Sequence, residues 1–355
     1  MKRVSAQRKV HKKGKSVVNR STRRKVYKVA LVSSVFFVSL LFLFSYGFYR
    51  YLNQNFASAL TNSSYSLSED NMPTMSFIIA EDLKSDPVVV KKVNFIIFDK
   101  TDKKVSIYNI PTDRGYSIPG KYGSEQFSKI FALGGMNSDN KLLAGSRAVN
   151  RALFKLFGFK VDKFLLVDSS HEEFFDKLFH NGGLLNLVNI KDISGLGDSL
   201  VTDIDLREFY KLTSFVYSLP EDRVIDEVNG PNCFCNTQEF DDYIRESTYE
   251  SDISKEKKNI AILNGTNYSG LASFGARVVS NIGGRVVAVD NTDKFYDQSV
   301  IITDDINSKT AAFLSRVFNI STIIPKEESH SFIETEIDRS DVSVIFGFDT
   351  SGDLY

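Results

Sequence analysis

Residues 29–49 form an uncharged and almost wholly apolar run, which constrains this chain more than any other feature. As a helix, a run of this length rises about 30 Å, enough to cross the hydrocarbon core of a bilayer. Tyr46, Tyr49 and Arg50 at its end are typical of an interfacial aromatic belt with a basic anchor, and not of a cleavable signal. We therefore predict a membrane-spanning helix that stays attached to the protein.

The distribution of charge predicts the orientation of this helix. Residues 1–28 carry twelve Lys and Arg and no acidic residue, so the positive-inside rule places this tail in the cytoplasm and exports everything after about residue 50. Without the tail the chain holds 32 basic against 44 acidic residues, a net charge of −12. An acidic folded part argues against nucleic acid as a partner, and we interpret the tail as a topology signal that contacts membrane lipid.

The pattern after the helix predicts the fold class α/β, with two extracytoplasmic α/β domains behind one N-terminal transmembrane helix. Strand-length runs such as VNFIIFD precede a helical period that ends at Gly158, and short buried strands such as NIAILN and RVVAVD alternate with helices later in the chain. The predicted segments are a basic cytoplasmic tail (1–28), a transmembrane helix (29–49), a stalk (50–71), a first domain (72–228), a linker (229–258) and a second domain (259–350).

The only two cysteines, Cys233 and Cys235, lie in the predicted linker. Two thiols cannot form a zinc site alone, and a bridge between residues this close strains disulfide geometry. We interpret them as a loop pair without a special role. Bonding to each other, bonding to a partner and the free thiol state all stay open.

The best candidate site in the first domain is the loop NIPTDRGYSIPGKYG with the following SKIFALGG. It carries Asp113, Arg114, Lys121 and Lys129 among turn-forming Pro and Gly residues. Arg could hold a phosphate through paired hydrogen bonds and Lys as a point charge. An ordinary charged surface loop is the simpler interpretation, so no catalytic residue is assigned from residue chemistry.

A second candidate, NGTNYSGLA at residues 264–272, follows a predicted strand and opens a predicted helix. Gly265 and Gly270 have the spacing of a P-loop, but Leu271 and Ala272 stand where the motif requires Lys and Ser or Thr. We interpret this segment as a structural strand-to-helix turn, with weak anion binding at the helix N-terminus as the alternative. The His171-Glu172-Glu173 sequence lacks the second His of a zinc motif, so no metal site is predicted.

Taken together, these segments resemble the LytR-CpsA-Psr (LCP) family. VNFIIFDKTDKKVSIYNIPTDRGYSIPG resembles the strand pair that leads into the family's Ile-Pro-Arg-Asp-Thr loop, and SKIFALGG resembles its Lys-Ile-Asn-x-x-Tyr-x-x-Gly-Gly segment. NIAILNGTNYSGLASFGARVVSNIGGRVVAVDN, with DVSVIFGFD, is similar to the LytR C-terminal domain over about 259–349. The resemblance implies an extracytoplasmic envelope protein at the plasma membrane.

The resemblance also implies an activity, because LCP proteins transfer glycopolymers from a polyprenyl-pyrophosphate carrier to peptidoglycan with Arg side chains and a divalent metal, usually Mg²⁺. The implied pyrophosphate or metal contacts here are Asp113, Arg114 and Lys129. Thr112 stands where the family has Arg, and the late Arg-x-Arg segment has no counterpart within 203–228. We therefore predict a degenerate, binding or scaffolding member in cell-wall biogenesis, and the alternative is an active phosphotransferase that uses Mg²⁺.

Overall fold

The computed structural model describes residues 20–52, 71–117, 123–173, 199–226 and 238–354. The chain divides into two compact units, residues 1–54 and residues 55–355, and each is described by itself. The predicted Lys121, Cys233 and Cys235 lie outside the described residues.

Helix α1 (Arg20–Leu52) belongs to the first unit. Its segment Tyr27–Arg50 is long and apolar enough to cross a membrane, and none of that segment is buried inside the protein. Phe36 and Phe42, for example, are 69% and 71% exposed. A helix satisfies its own backbone hydrogen bonds, so this segment suits lipid better than water. The helix predicted over 29–49 is present, and its orientation stays a prediction.

The second unit begins with a mixed sheet of six strands in the order β7-β6-β1-β2-β3-β8. The central strands β1, β2 and β3 are antiparallel, β6 runs parallel to β1, and β8 runs parallel to β3. All seven residues of β1 are buried, including the polar Thr74 and Ser76. The strands are β1 (Thr74–Ala80), β2 (Val90–Asp99), β3 (Lys104–Ile110), β6 (Lys163–Asp168), β7 (Leu200–Thr202) and β8 (Val224–Asp226).

Between β3 and β6 the chain forms a short strand pair, β4 (Tyr116–Ser117) and β5 (Ser124–Glu125), and two helices, α2 (Phe127–Gly135) and α3 (Lys141–Phe157). Helix α3 ends at Gly158, where φ is 58°, so the predicted glycine stop is confirmed. Helices α2 and α3 pack closely because Gly145 has no side chain, and a Cβ atom there would lie 2.8 Å from the Phe131 ring. Helix α4 (Leu206–Ser218) follows β7.

A second sheet of five strands has the order β10-β9-β13-β11-β12. Strand β9 runs parallel to both β10 and β13, and β13, the last strand in the sequence, lies at the centre. The strands are β9 (Asn259–Asn264), β10 (Arg285–Asn291), β11 (Val300–Thr303), β12 (Ile323–Pro325) and β13 (Val342–Phe346). The helices of this half are α7 (Leu271–Asn281), α8 (Lys309–Phe318), α9 (Thr335–Arg339) and α10 (Phe348–Leu354). The predicted fold class, α/β with an N-terminal helix, is confirmed.

Two helices, α5 (Gln238–Thr248) and α6 (Ser251–Glu256), occupy much of the segment that we interpreted as a linker. Phe240 and Ile244 on α5 are fully buried and lie four residues apart, on one face of the helix. The remaining residues of α5 are largely charged, which hides this face in the sequence.

One hydrophobic cluster joins residues of both sheets and of α5. Within it the Phe157 ring of α3 lies 4.5 Å from Phe95 of β2 and 5.4 Å from Phe240 of α5, measured between ring centroids. Asn281 of α7 also donates a hydrogen bond from Nδ2 to the Phe157 carbonyl at 3.0 Å. The second sheet therefore shares one face with the cluster around α3, and it also has a smaller cluster of its own, made by Leu263, Val300, Ile302, Ile337 and Ile345.

Candidate functional site

The loop after β3 carries two of the predicted site residues, Asp113 and Arg114, and both are exposed. Its ends are fixed. The Tyr116 hydroxyl donates to the Pro111 carbonyl at 2.8 Å, and Gln126 Nε2 donates to the Asp113 carbonyl at 2.9 Å. The loop backbone is thereby held against the start of α2.

The Tyr116 side chain holds this loop against the protein core. Its side chain is buried, and its ring centroid lies 4.7 Å from that of Phe127. Burial raises the pKa of Tyr116 to about 12, with a smaller opposing effect from Arg114 and a further increase from Asp113. The phenol therefore stays protonated at neutral pH and keeps donating to Pro111.

Lys129, the third predicted site residue, lies on the first turns of α2. Its Nζ atom lies 2.9 Å from Oε2 of Glu125, four residues earlier, and its side chain is 64% exposed. An exposed pair of this kind contributes about 0–1 kcal/mol to stability. The Lys129 ammonium group is therefore already paired with the Glu125 carboxylate.

A cavity of about 650 Å³ lies between α2, the start of α3 and residues 83–88, and we call it the α2–α3 cavity. Its size is within the range of small-molecule sites. The apolar side chains that line it include Leu83, Val88, Phe131, Leu133, Met136 and Leu142. Three lysines, Lys84, Lys129 and Lys141, also line it, and Lys141 Nζ lies 2.7 Å from Asp86 Oδ2.

The fold separates the predicted residues into two places. Lys129 lines the α2–α3 cavity, whereas Asp113 and Arg114 are not among its lining residues. Sequence reasoning missed Lys84 and Lys141, which reach the cavity from a different loop and a different helix. Neither lies in a recognisable motif, so only the tertiary structure brings them together with Lys129.

The residues described near this loop do not form a ready-made cluster of Mg²⁺ ligands. In the described part of the chain, no group of three or more His, Cys, Asp or Glu residues could hold a metal ion. Mg²⁺ in proteins has near-octahedral geometry, keeps several waters, and is usually held by one or two carboxylates together with substrate phosphates. Here Glu125 is engaged by Lys129, and Asp113 points from an exposed loop. We derive no step through a metal.

The NGTNYSGLA segment forms a turn around the buried side chain of Asn264. Oδ1 of Asn264 accepts from the Thr266 backbone N–H at 3.1 Å, and its Nδ2 donates to the Tyr268 carbonyl at 2.9 Å. Gly270 precedes α7 with φ of 84°. These bonds connect β9 to α7 and fix the backbone of the strand-to-helix turn.

No protein-family model matches this chain, and no curated protein matches it. The solved structures that it resembles include three with low identity. One is TagV of B. subtilis, with 12% identity over 44% of this chain and 84% of that chain and a TM-score of 0.33. Another is the LytR-CPS2A-psr family protein YwtF (TagT) with bound octaprenyl pyrophosphate lipid, with 14% identity over 53% and 93% of the two chains and a TM-score of 0.34. The third is protein gbs0355 from Streptococcus agalactiae, with 10% identity over 47% of this chain and 79% of that chain and a TM-score of 0.35. Values this low leave the family and the ligand of this chain as proposals.

Proposed function

We propose that this chain is a membrane-anchored, extracytoplasmic LCP-like protein that binds a lipid-linked glycopolymer during cell-wall biogenesis. In this proposal it holds or presents the carrier and does not transfer the polymer. The supporting observation is the α2–α3 cavity, which is mainly apolar and lies on the segment SKIFALGG that resembles the family. An apolar cavity with a few charged groups suits an isoprenoid chain next to a charged head group.

The charges around the cavity favour binding over catalysis. Phosphoryl transfer depends on positive groups that neutralise the charge of the transferred group. Lys129 and Lys141 each have a carboxylate within 2.9 Å, and Thr112 stands where the family has Arg. Each lost charge-assisted hydrogen bond to a pyrophosphate costs about 1.5–3 kcal/mol.

The alternative function is an active phosphotransferase in which Asp113, Arg114 and Lys129 contact the pyrophosphate or a metal that it brings. One observation favours it. Gln126 holds the Asp113 backbone against α2, the helix that carries Lys129, so the loop and the helix keep a fixed relation. In either case the topology is the same in our proposal, with residues 1–28 in the cytoplasm and the two sheets exported next to membrane lipid and peptidoglycan.

The test separates binding from turnover. The full-length protein, in lipid nanodiscs, would be titrated with farnesyl pyrophosphate, and then given a polyprenyl-pyrophosphate-linked oligosaccharide with Mg²⁺ and peptidoglycan. We expect saturable binding and no transfer. Absence of binding would remove the proposal, and transfer that disappears in Lys129→Ala would establish the alternative.

A matched pair of variants locates the site. Met136 lines the cavity and is 63% exposed, so Met136→Glu should fold normally and weaken binding about tenfold or more, because it places a carboxylate beside the lipid. Tyr210→Glu on α4 makes a similar change at an apolar side chain that is 43% exposed and does not line the cavity. Equal effects of the two variants would show that binding occurs elsewhere.

A further inference from the structure

We propose that the second half of this chain binds an uncharged oligosaccharide at the carboxyl ends of β9 and β10. A cavity of about 440 Å³ lies there, between the turn after β9, the first turn of α7 and the end of β10. Carboxyl ends of parallel strands next to a helix start are common ligand sites in α/β folds. The volume is within the range of small-molecule sites.

Three aromatic side chains form an exposed group at this cavity. Phe295 is 67% exposed, and Tyr268 and Phe348 are each 37% exposed. The Phe348 ring lies 5.9 Å from Phe295 and 6.1 Å from Tyr268, centroid to centroid. Phe295 and Tyr268 also line the cavity. Exposed rings gathered in this way favour a ligand with an apolar face that covers them.

The polar lining decides which ligand this is. Its amide and aliphatic hydroxyl side chains both donate and accept hydrogen bonds, and they belong to Asn264, Thr266, Asn267, Ser269, Ser273, Asn291 and Thr292. Asp290 is the one carboxylate among the described lining residues, and no Lys or Arg lines the cavity. An anion would meet no cationic side chain, and a wholly apolar ligand would make no use of the hydrogen-bonding groups that Asn267, Ser269 and Ser273 present. A sugar ring offers both hydroxyl groups and an apolar face.

The cavity wall is held in place before any ligand binds. Asn264 is 5% exposed, its Oδ1 atom accepts from the Thr266 hydroxyl at 2.7 Å, and its Nδ2 atom donates to Oδ1 of Asn291 at 3.2 Å. These bonds tie the turn after β9 to the end of β10. A wall fixed in this way lowers the entropic cost of binding.

The experiment uses the full-length protein in lipid nanodiscs free of sugar-headed detergents, which would compete for the site. Isothermal titration would measure binding of three probes, chitotetraose, cellotetraose and maltotetraose, each up to about 10 mM, beyond the millimolar Kd of a weak site. We expect at least one probe to bind. Absence of binding by all three would overturn the proposal.

Variants at Phe295 test the position of the site. Phe295→Ala should weaken binding about tenfold or more, and Phe295→Tyr should keep the affinity within about threefold because the ring is retained. Tyr217→Ala on α4 removes another aromatic side chain, which is 59% exposed and does not line this cavity, and should change nothing. Equal loss in Phe295→Ala and Tyr217→Ala, or none in Phe295→Ala, would contradict the site.

This inference does not depend on the function proposed for the α2–α3 cavity. Met136→Glu should leave oligosaccharide binding unchanged, and inorganic pyrophosphate should not compete with the sugar. Competition by pyrophosphate would show that this cavity receives an anion, which would reject an uncharged ligand.

Discussion

Nη2 of Arg277, in α7, lies 2.6 Å from the carbonyl oxygen of Leu156, in the last turn of α3. Nη1 of the same residue donates to the Lys155 carbonyl at 2.7 Å, and its guanidinium group pairs with the Asp241 carboxylate of α5. The last carbonyls of a helix have no partner within the helix. Arg277 supplies them with donors and places its positive charge at the negative end of α3.

Arg277→Ala should therefore destabilise the folded protein by about 3–5 kcal/mol. The substitution removes these hydrogen bonds and leaves Asp241, whose side chain is 12% exposed, as a buried charge without its partner. Denaturant unfolding followed by circular dichroism would measure the change. Arg285→Ala on the exposed β10 is the control and should stay within about 0.5 kcal/mol. Similar values for both variants would show that Arg277 does not join the two halves.

Glu250 predicts a specific pH dependence of stability. Burial, with a smaller effect from Asp99 and then Asp252, raises its pKa from 4.5 to about 7. Between these values the folded state holds a proton that the unfolded state releases, so the free energy of unfolding falls as pH rises from 4.5 to about 7. Glu250→Gln should remove this fall. Above about pH 7 the variant should be more stable than the unsubstituted protein by about 2 kcal/mol.

Unfolding curves measured at several pH values would check this expectation. Glu239→Gln, at an exposed position on α5, removes the same charge without burial and is the matched control. If the two variants show the same dependence on pH, the effect does not come from Glu250.

Gly145→Ala should destabilise the packing of α2 on α3 by about 1–3 kcal/mol, although Ala favours a helix over Gly. The new Cβ atom would lie 2.8 Å from both the ring and the carbonyl oxygen of Phe131, so the helices must move apart. A double-mutant cycle with Phe131→Leu would isolate the ring contact. Additive effects would mean that the two residues do not meet.

Lys129→Ala should change stability by less than about 1 kcal/mol, because the side chain is exposed and its ion pair with Glu125 is on the surface. In the binding role the apolar lining holds the lipid and the Lys129 ammonium group is paired with Glu125, so the substitution should also leave growth and wall-polymer content of the cell intact. Those two quantities would be compared with cells that carry Met136→Glu. Loss of polymer in Lys129→Ala alone, with normal protein levels, would favour the phosphotransferase.

Local patterns predicted much of this fold. The run NIAILN is β9 over the same residues, and the helical period before Gly158 is α3. RVVAVD is a strand, but our prediction of a buried strand was wrong for it. It is one of the two edge strands of its sheet, and Val287 and Val289 are 44% and 45% exposed. An edge position depends on strand order, which local periodicity does not contain.

The candidate site was only partly visible in the sequence for a similar reason. Asp113, Arg114 and Lys129 are close in the sequence, so one loop suggested them together. The α2–α3 cavity also needs residues 83–88 and the start of α3. Likewise, the hydrogen bond from Arg277 to the Leu156 carbonyl at the end of α3 joins residues 121 positions apart. Such relations arise from packing, and they can be recognised only after the chain has folded.

The central place of β13 has a consequence for synthesis. This strand, Val342–Phe346, is made after both β9 and β11, yet both bond to it. Until the ribosome has added it, two inner strands have open hydrogen-bonding edges, which other chains could join. A polypeptide truncated only a few residues before Val342 should therefore be a target for proteases and chaperones, although it retains almost every helix.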